Sequence, residues 1–433
     1  MKIASISAYQ IFDSRGNPTV EALVVLANGV RGRGSVPSGA STGQFEALEL
    51  RDRDPKRFRG QSVFKAIANV QEIIAPALQG HEVFDQRGLD QALLALDGTP
   101  NKSRLGANAI LGVSMGAANA AAAARNEPLF TYLGRGQGNI LPLPEIQIIG
   151  GGAHANRGTD VQDYLLIAPR AQSYAEVLEI TYNVYRAAGD LLKRRGTFFG
   201  VADEGGYWPA FKTNEEPLEL LVEAIESAGY EPGRDAAISL DIAASDLFDR
   251  KTGRYRFALE ERDYSTAEFA KLLADWCQRY PILSLEDPMA DTDWGGWELI
   301  FKSLGASVQI VGDDVFTTNL QRIRAGIEKG VANAVLIKPN QIGTVTETLD
   351  AIRLTQEAGW LPVISARSGE TEDAFIAHLA VATNAGQLKV GSFSRSERLA
   401  KWNEIIRIER ELADRAAFLG GKIFQKILSP NKA

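Results

Sequence analysis

The stretch "LPVISARSGETED" (361–373) begins as a strand covered on both faces and ends in charge. Leu361, Val363 and Ile364 have the apolar, largely β-branched character of a buried parallel strand. Arg367, Ser368, Glu370, Glu372 and Asp373 then follow in quick succession. Taken alone, this is an ordinary polar loop before the helix-like run "DAFIAHLAVATNAG" (373–386), with Thr371 or Glu372 near its N-terminus. It means more if other strands end the same way.

Several do. "AAISLD" leads into "TAEFAKLLADWCQRY", "PILSLED" into "GWELIFKSLG", "VQIVGDD" into "NLQRIRAGIEKG", and "NAVLIK" into "TVTETLDAIRLTQEAG". The strand-like runs end in Asp241, Glu286, Asp313, Lys338, Arg367 and, after "QL", Lys389, at steps of 45, 27, 25, 29 and 22 residues. Most steps match one strand–helix unit. The pattern predicts a parallel α/β sheet closed into a barrel, whose strand ends converge on one mouth. An open doubly wound sheet is the alternative, but no GxGxxG follows a strand to favour it.

Upstream, residues 3–35 alternate as antiparallel strands, with Asn28-Gly29 as a hairpin turn between "EALVVLA" and "VRGRGSV". From about residue 63 the period turns helical, and "GRGQGN" (134–139) reads as a linker. This divides the chain into an N-terminal α+β domain, 1–138, and a barrel, 139–433. The stretch "GANAILGVSMGAANAAAAA" (106–124) reads as a tightly packed helix rather than a membrane span, given its Gly and Ala content and Asn108, Ser114 and Asn119.

Composition narrows the classes. A net charge of −7 without a basic stripe argues against nucleic-acid binding. The N-terminus lacks the apolar run of a signal peptide, and the single cysteine, Cys277, allows no internal disulfide, so a reducing cytoplasm and no membrane are expected.

Asp241, Glu286 and Asp313 on successive strands would repel one another unless a cation sits between them or salt bridges to Lys338 and Arg367 neutralise them. Oxygen ligands without His or Cys select a hard ion, usually Mg²⁺. Beside such a cation the ammonium form of Lys338 would be disfavoured, which suits a general base. Arg367 and Lys389 could then clamp an anionic carboxylate or phosphate. In "FFGVADEGGYWP" (198–209), Glu204 follows an apolar strand and is a candidate general acid. "IIGGGAHAN" (148–156) carries His154, and "SVPSGASTG" (35–43) has the composition of a closing loop.

Ten stretches together resemble the enolase (phosphopyruvate hydratase) family. They include "DSRGNPTVE" (13–21), "SVPSGASTGQFEALELRD" (35–52), "GGAHA" (151–155), "DEGG" (203–206), "LEDP" (285–288), "IKPNQIGT" (337–344) and "RSERLAKWNEIIRIE" (395–409). The resemblance implies a small N-terminal α+β domain followed by a modified (β/α)8 TIM-like barrel. It also implies reversible dehydration of 2-phosphoglycerate, a small phosphorylated hydroxy acid, and a homodimer or higher homo-oligomer. It assigns Mg²⁺ to Asp241, Glu286 and Asp313, with Ser41 helping to hold a second ion. Lys338 becomes the base and Glu204 the acid, with Asp163 beside the leaving hydroxyl. His154, Gln162, Arg367, Ser368 and Lys389 become substrate contacts.

Five departures from the family pattern cluster around the implied substrate. Ala366 stands where a histidine is usual, Asp163 where Glu is usual, and Gly150 where Asn is usual. Tyr207-Trp208 and "KVGSF" also differ from the usual pattern. Asp163 would enlarge the hydroxyl end of the pocket, and Tyr207 and Trp208 would give it larger aromatic walls. These departures raise the alternative of an enolase-like paralogue acting on a related phospho- or phosphono-substrate, such as carboxyphosphonoenolpyruvate synthase.

Overall fold

The computed structural model describes residues 1–39 and 43–428. The chain opens with a three-stranded antiparallel sheet of β1 (Ile3–Phe12), β2 (Pro18–Leu26) and β3 (Arg31–Ser35). Alternation on β2 buries Val20, Ala22, Val24 and Leu26 on one face. The helix Ala107–Ala124 lies across that sheet. A Cβ at Gly32 would come within 2.1 Å of the Ala120 backbone nitrogen, so only glycine permits this approach. The helix is long and apolar enough to cross a membrane, but 83% of it is buried inside the protein. Its small side chains serve close packing.

Eight strands then close into a barrel: β4 (Leu143–Gly150), β5 (Asp163–Ile167), β6 (Ala237–Asp241), β7 (Ile282–Glu286), β8 (Gln309–Gly312), β9 (Ala334–Ile337), β10 (Leu361–Ser365) and β11 (Gln387–Ser392). β11 pairs back onto β4 and completes the ring. The ring departs from the all-parallel expectation at one place: β5 runs antiparallel to both β4 and β6. Its start therefore faces the mouth, and Asp163 lies opposite Asp241.

The strand-end charges fall close to where the sequence suggests. Asp241 and Glu286 are the last residues of their strands, and Asp313 and Lys338 immediately follow theirs. Arg367 lies two residues past β10. Lys389 differs, because β11 continues beyond it to Ser392.

The run "FFGV" is not a barrel strand. It forms a hairpin, Phe198–Val201 with Tyr207–Pro209, attached to β4 through Ile149 and Tyr207. Phe199 is 65% exposed, so its apolar character does not reflect burial. The N-terminal unit leans over the mouth: Ser38 bridges Gly369, and the Ser14 amide donates to the Glu370 carbonyl at 2.7 Å.

Candidate active site

Parallel pairing sets Asp241 and Glu286 side by side on β6 and β7. Between them sits the Lys389 ammonium, 2.9 Å from Asp241 Oδ2 and 2.7 Å from Glu286 Oε2, with Asp163 at 3.6 Å. Burial opposes the charge on Lys389, but Asp241, Glu286 and Asp163 outweigh it and hold its pKa well above the ordinary lysine value. Burial, reinforced by Asp241, pushes the Glu286 carboxyl well above its usual range. Lys389, expected to clamp an anionic ligand, thus faces Asp241, Glu286 and Asp163 across the barrel interior.

Asp313 accepts from Lys338 Nζ at 2.5 Å and from Gln341 Nε2 at 2.7 Å. Burial would raise its pKa, but the neighbouring Lys338 charge wins and holds it low. Reciprocally, burial works against the Lys338 ammonium while Asp313 raises its pKa above the ordinary value. The disfavoured ammonium is expected beside a bound cation; here Asp313 pairs with Lys338, and the salt-bridge route runs through Lys338 and Lys389 rather than through Lys338 and Arg367, whose guanidinium pairs with Glu46.

Another set of acids, Asp287, Asp313 and Asp314, brings its oxygens within 4.8 Å of one another. Asp287 has a local role there. Its carboxylate accepts the backbone N–H groups of Asp313 and Asp314, both at 2.8 Å, and so braces the turn after β8. Burial, together with the Asp313 charge, pushes Asp314 up to about 8.

The donor set fits a hard metal ion on two counts. Asp241, Glu286 and Asp313 offer only oxygen, and Glu286 Oε1 is buried without a hydrogen-bond partner among the described residues. A buried carboxylate oxygen left unpaired is costly unless something fills the role. Ser41 lies outside the described residues, as does the side chain of His154, whose backbone forms part of the short 3-10 turn Gly152–Ala155.

One cavity at the mouth is lined by Lys338, Glu204, Asp163, Gln162, Asp241, Arg367, Ser368 and Lys389, with Ala366 beside Arg367. Gln162 donates to Asp241 Oδ2 at 3.0 Å, and its Oε1 is buried without a hydrogen-bond partner among the described residues. Two readings of the departures need correction. The first is the enlarged hydroxyl end: Asp163 does line the cavity, but it is held there by the Gln147 amide, which donates to its Oδ1. Tyr207 does not line this cavity; it stacks on Tyr185 at 4.3 Å, against the helix Tyr174–Arg195. Gly150 has its own reason, since a Cβ there would come within 2.6 Å of Ala202 Cβ.

Sequence reasoning did not single out the groups that hold Arg367. Its guanidinium donates to Glu46 Oε2 at 2.9 Å and to Asn340 Oδ1 at 3.1 Å. Its amide donates to Glu370 Oε1 at 3.0 Å. Arg398, fully buried on the helix Ser396–Leu412, donates to the Arg367 and Val390 carbonyls at 2.6 and 2.9 Å and to the Ser368 carbonyl at 2.5 Å. Glu46 stands in "TGQFEALELRD", but nothing in that stretch says that it crosses domains.

Comparison with known proteins agrees with this architecture. Residues 3–133 match the family "Enolase, N-terminal domain", and residues 138–427 match "Enolase, C-terminal TIM barrel domain". The chain belongs to the enolase family. It is 54% identical over 424 residues to Enolase 1 of Desulfitobacterium hafniense (strain Y51), covering 98% of this chain and 97% of that protein. Enolases are lyases, phosphopyruvate hydratases, that use a metal ion. β5 places Asp163 at its start, facing the mouth, while Asp241, Glu286, Asp313, Lys338 and Arg367 sit at or beyond the ends of their strands and Lys389 lies within β11.

Proposed function

We propose that the protein catalyses the reversible dehydration of 2-phosphoglycerate to phosphoenolpyruvate, with Mg²⁺ as its metal. The observation that carries this reading is the single cavity lined by both Lys338 and Glu204, next to Asp241, Arg367 and Lys389. Asp241, Glu286 and Asp313 would hold Mg²⁺, with Ser41 helping to hold a second ion. The bound metal supplies positive charge that makes the proton α to the substrate carboxylate easier to remove. Lys338 takes that proton. Glu204 gives a proton to the departing hydroxide, with Asp163 beside it. Arg367, Ser368 and Lys389 orient the anionic ends, and Gln162 and His154 complete the contacts. The exposed Phe12 and Phe58, whose rings lie 5.8 Å apart, suit a homodimer interface. The single cysteine suits a reducing cytoplasm.

The test is phosphoenolpyruvate formation from 2-phosphoglycerate, in chelated protein and after adding Mg²⁺. Turnover that depends on Mg²⁺ supports the reading. A second reading rests on Ala366, which lines the cavity where the family usually has a histidine. Metal-dependent binding of a phosphono-analogue without turnover of 2-phosphoglycerate would favour it, and with it a paralogue like carboxyphosphonoenolpyruvate synthase.

The metal also has a pH signature. Folding holds protons on Glu286, Asp287 and Asp314 to higher pH than the unfolded chain does. The metal-free protein therefore loses stability as pH rises from the ordinary carboxylate range through about 8, where Asp314 titrates. Asp313 stays ionised in that window while Lys338 and Lys389 stay protonated, so they add nothing to the slope. Binding Mg²⁺ favours the deprotonated acids. The rise in Tm on adding Mg²⁺ should be larger near pH ~8.5 than near pH ~5.5. An equal rise at both would contradict the metal assignment.

A further inference from the structure

We infer that Gln147 is a positioning residue that fixes Asp163 relative to the hairpin carrying Glu204; this rests on the reaction proposed above. Gln147 lies on β4, fully buried, with both ends of its amide engaged. Its Oε1 accepts the Gly206 N–H at 2.8 Å, and its Nε2 donates to Asp163 Oδ1. The orientation is forced: a backbone N–H can only donate and a carboxylate can only accept, so the amide cannot flip without losing both bonds. Gly206 follows Glu204 by two residues. A Cβ there would come within 2.5 Å of Gln147 Oε1, so the turn rests directly on the amide.

The far side of the same turn is fixed independently. The Gly205 carbonyl accepts from Ser394 Oγ at 2.7 Å and from Tyr185 Oη at 3.1 Å, and Arg395 Nε donates to the Ala202 carbonyl at 3.1 Å. With the hairpin anchored behind, the length of residue 147 sets how far Glu204 stands from Asp163. The two groups act on the same end of the substrate, the departing hydroxyl. A small displacement there weakens elimination without touching the proton abstraction by Lys338.

Length can be exchanged between the partners. Asn is one methylene shorter than Gln, and Glu is one methylene longer than Asp. The double variant Gln147→Asn with Asp163→Glu therefore restores the span that each single variant spoils. Each single substitution is expected to lower kcat for phosphoenolpyruvate formation roughly 10–100-fold, with little change in KM and with exchange of the α-proton retained. The double variant is expected to recover most of kcat. Gln147→Glu provides a second probe, since it keeps the acceptor for Gly206 but sets a carboxylate against Asp163, and its kcat should fall similarly. Additive losses in the double variant, loss of exchange in parallel with kcat, or a wild-type kcat in Gln147→Glu would overturn the inference. If the wild type fails to dehydrate 2-phosphoglycerate, the reaction is wrong but the strut is still tested. The four proteins in thermal unfolding should show a double variant more stable than the sum of the single effects, and additive Tm changes would reject it.

Discussion

Lys338→Ala is expected to abolish exchange of the substrate α-proton with solvent, while Glu204→Gln spares exchange and stops elimination. The two side chains line one cavity from different elements, Lys338 from the end of β9 and Glu204 from the hairpin turn. Lys338 is tied to Asp313 on the barrel, and Glu204 stands on the separate hairpin turn. Removing a general acid or base costs about 10²–10⁴-fold in the step it serves. In Glu204→Gln that loss falls on departure of the hydroxide and leaves the earlier proton transfer reversible. In Lys338→Ala it falls on the first step, and nothing downstream can be observed. The measurement is the loss of isotope label from the α-carbon alongside phosphoenolpyruvate formation. Equal loss of exchange in both variants would mean that the roles are wrongly assigned.

Much of this site was legible because a barrel repeats. Each βα unit brings its strand end to the same mouth, so the charges at Asp241, Glu286, Asp313, Lys338 and Arg367 could be aligned without knowing any contact. Asp163 and Gln162 could not be found this way, and only the family resemblance supplied them. "DYLLI" is buried throughout, and a fully buried strand reads the same in either direction. Its reversal depends on the partners it pairs with. "FFGV" misled for a related reason: β-propensity reports fit to a pleated surface, not which side is covered.

The state of the lysines was illegible for a different reason. The sequence places cations and anions at one mouth but does not say which pairs form. Lys389 reaches Asp241 and Glu286 because β11 runs past it, leaving its side chain inside the barrel and not at the rim. Glu46 is the extreme case, since it reaches Arg367 across 321 residues of sequence and from the other domain. Contacts of that kind have no local pattern. Arg398 had at least a composition signal, a charged residue within the resemblance to "RSERLAKWNEIIRIE", but its burial gives it meaning.

Arg398→Met is expected to cost both stability and substrate affinity. Arg398 is fully buried, and its guanidinium satisfies the carbonyls of Arg367, Ser368 and Val390. Methionine fills part of the volume but donates nothing, so the Arg367 and Val390 carbonyls lose this donor and the Ser368 carbonyl keeps only Ser14 Oγ at 3.3 Å. Each such acceptor costs about 1–3 kcal/mol when water cannot replace the donor. Partial relaxation makes a total loss of about 3 kcal/mol a reasonable expectation. The loop would relax by moving the Arg367 and Ser368 backbones, the segment that places two proposed substrate contacts. Glu370 and Lys401, paired at 2.9 Å, hold the next residues and would limit the movement to that segment. KM should therefore rise more than kcat falls, because the proposed base and metal ligands sit on other strands. Arg398→Lys keeps a charge but cannot reach all three carbonyls, and should fall between the two. The measurements are Tm and the KM for 2-phosphoglycerate in both variants. A methionine variant with unchanged Tm and KM would show that the loop holds its shape without the arginine, and that contacts such as those to Glu46, Asn340 and Glu370 suffice to position Arg367.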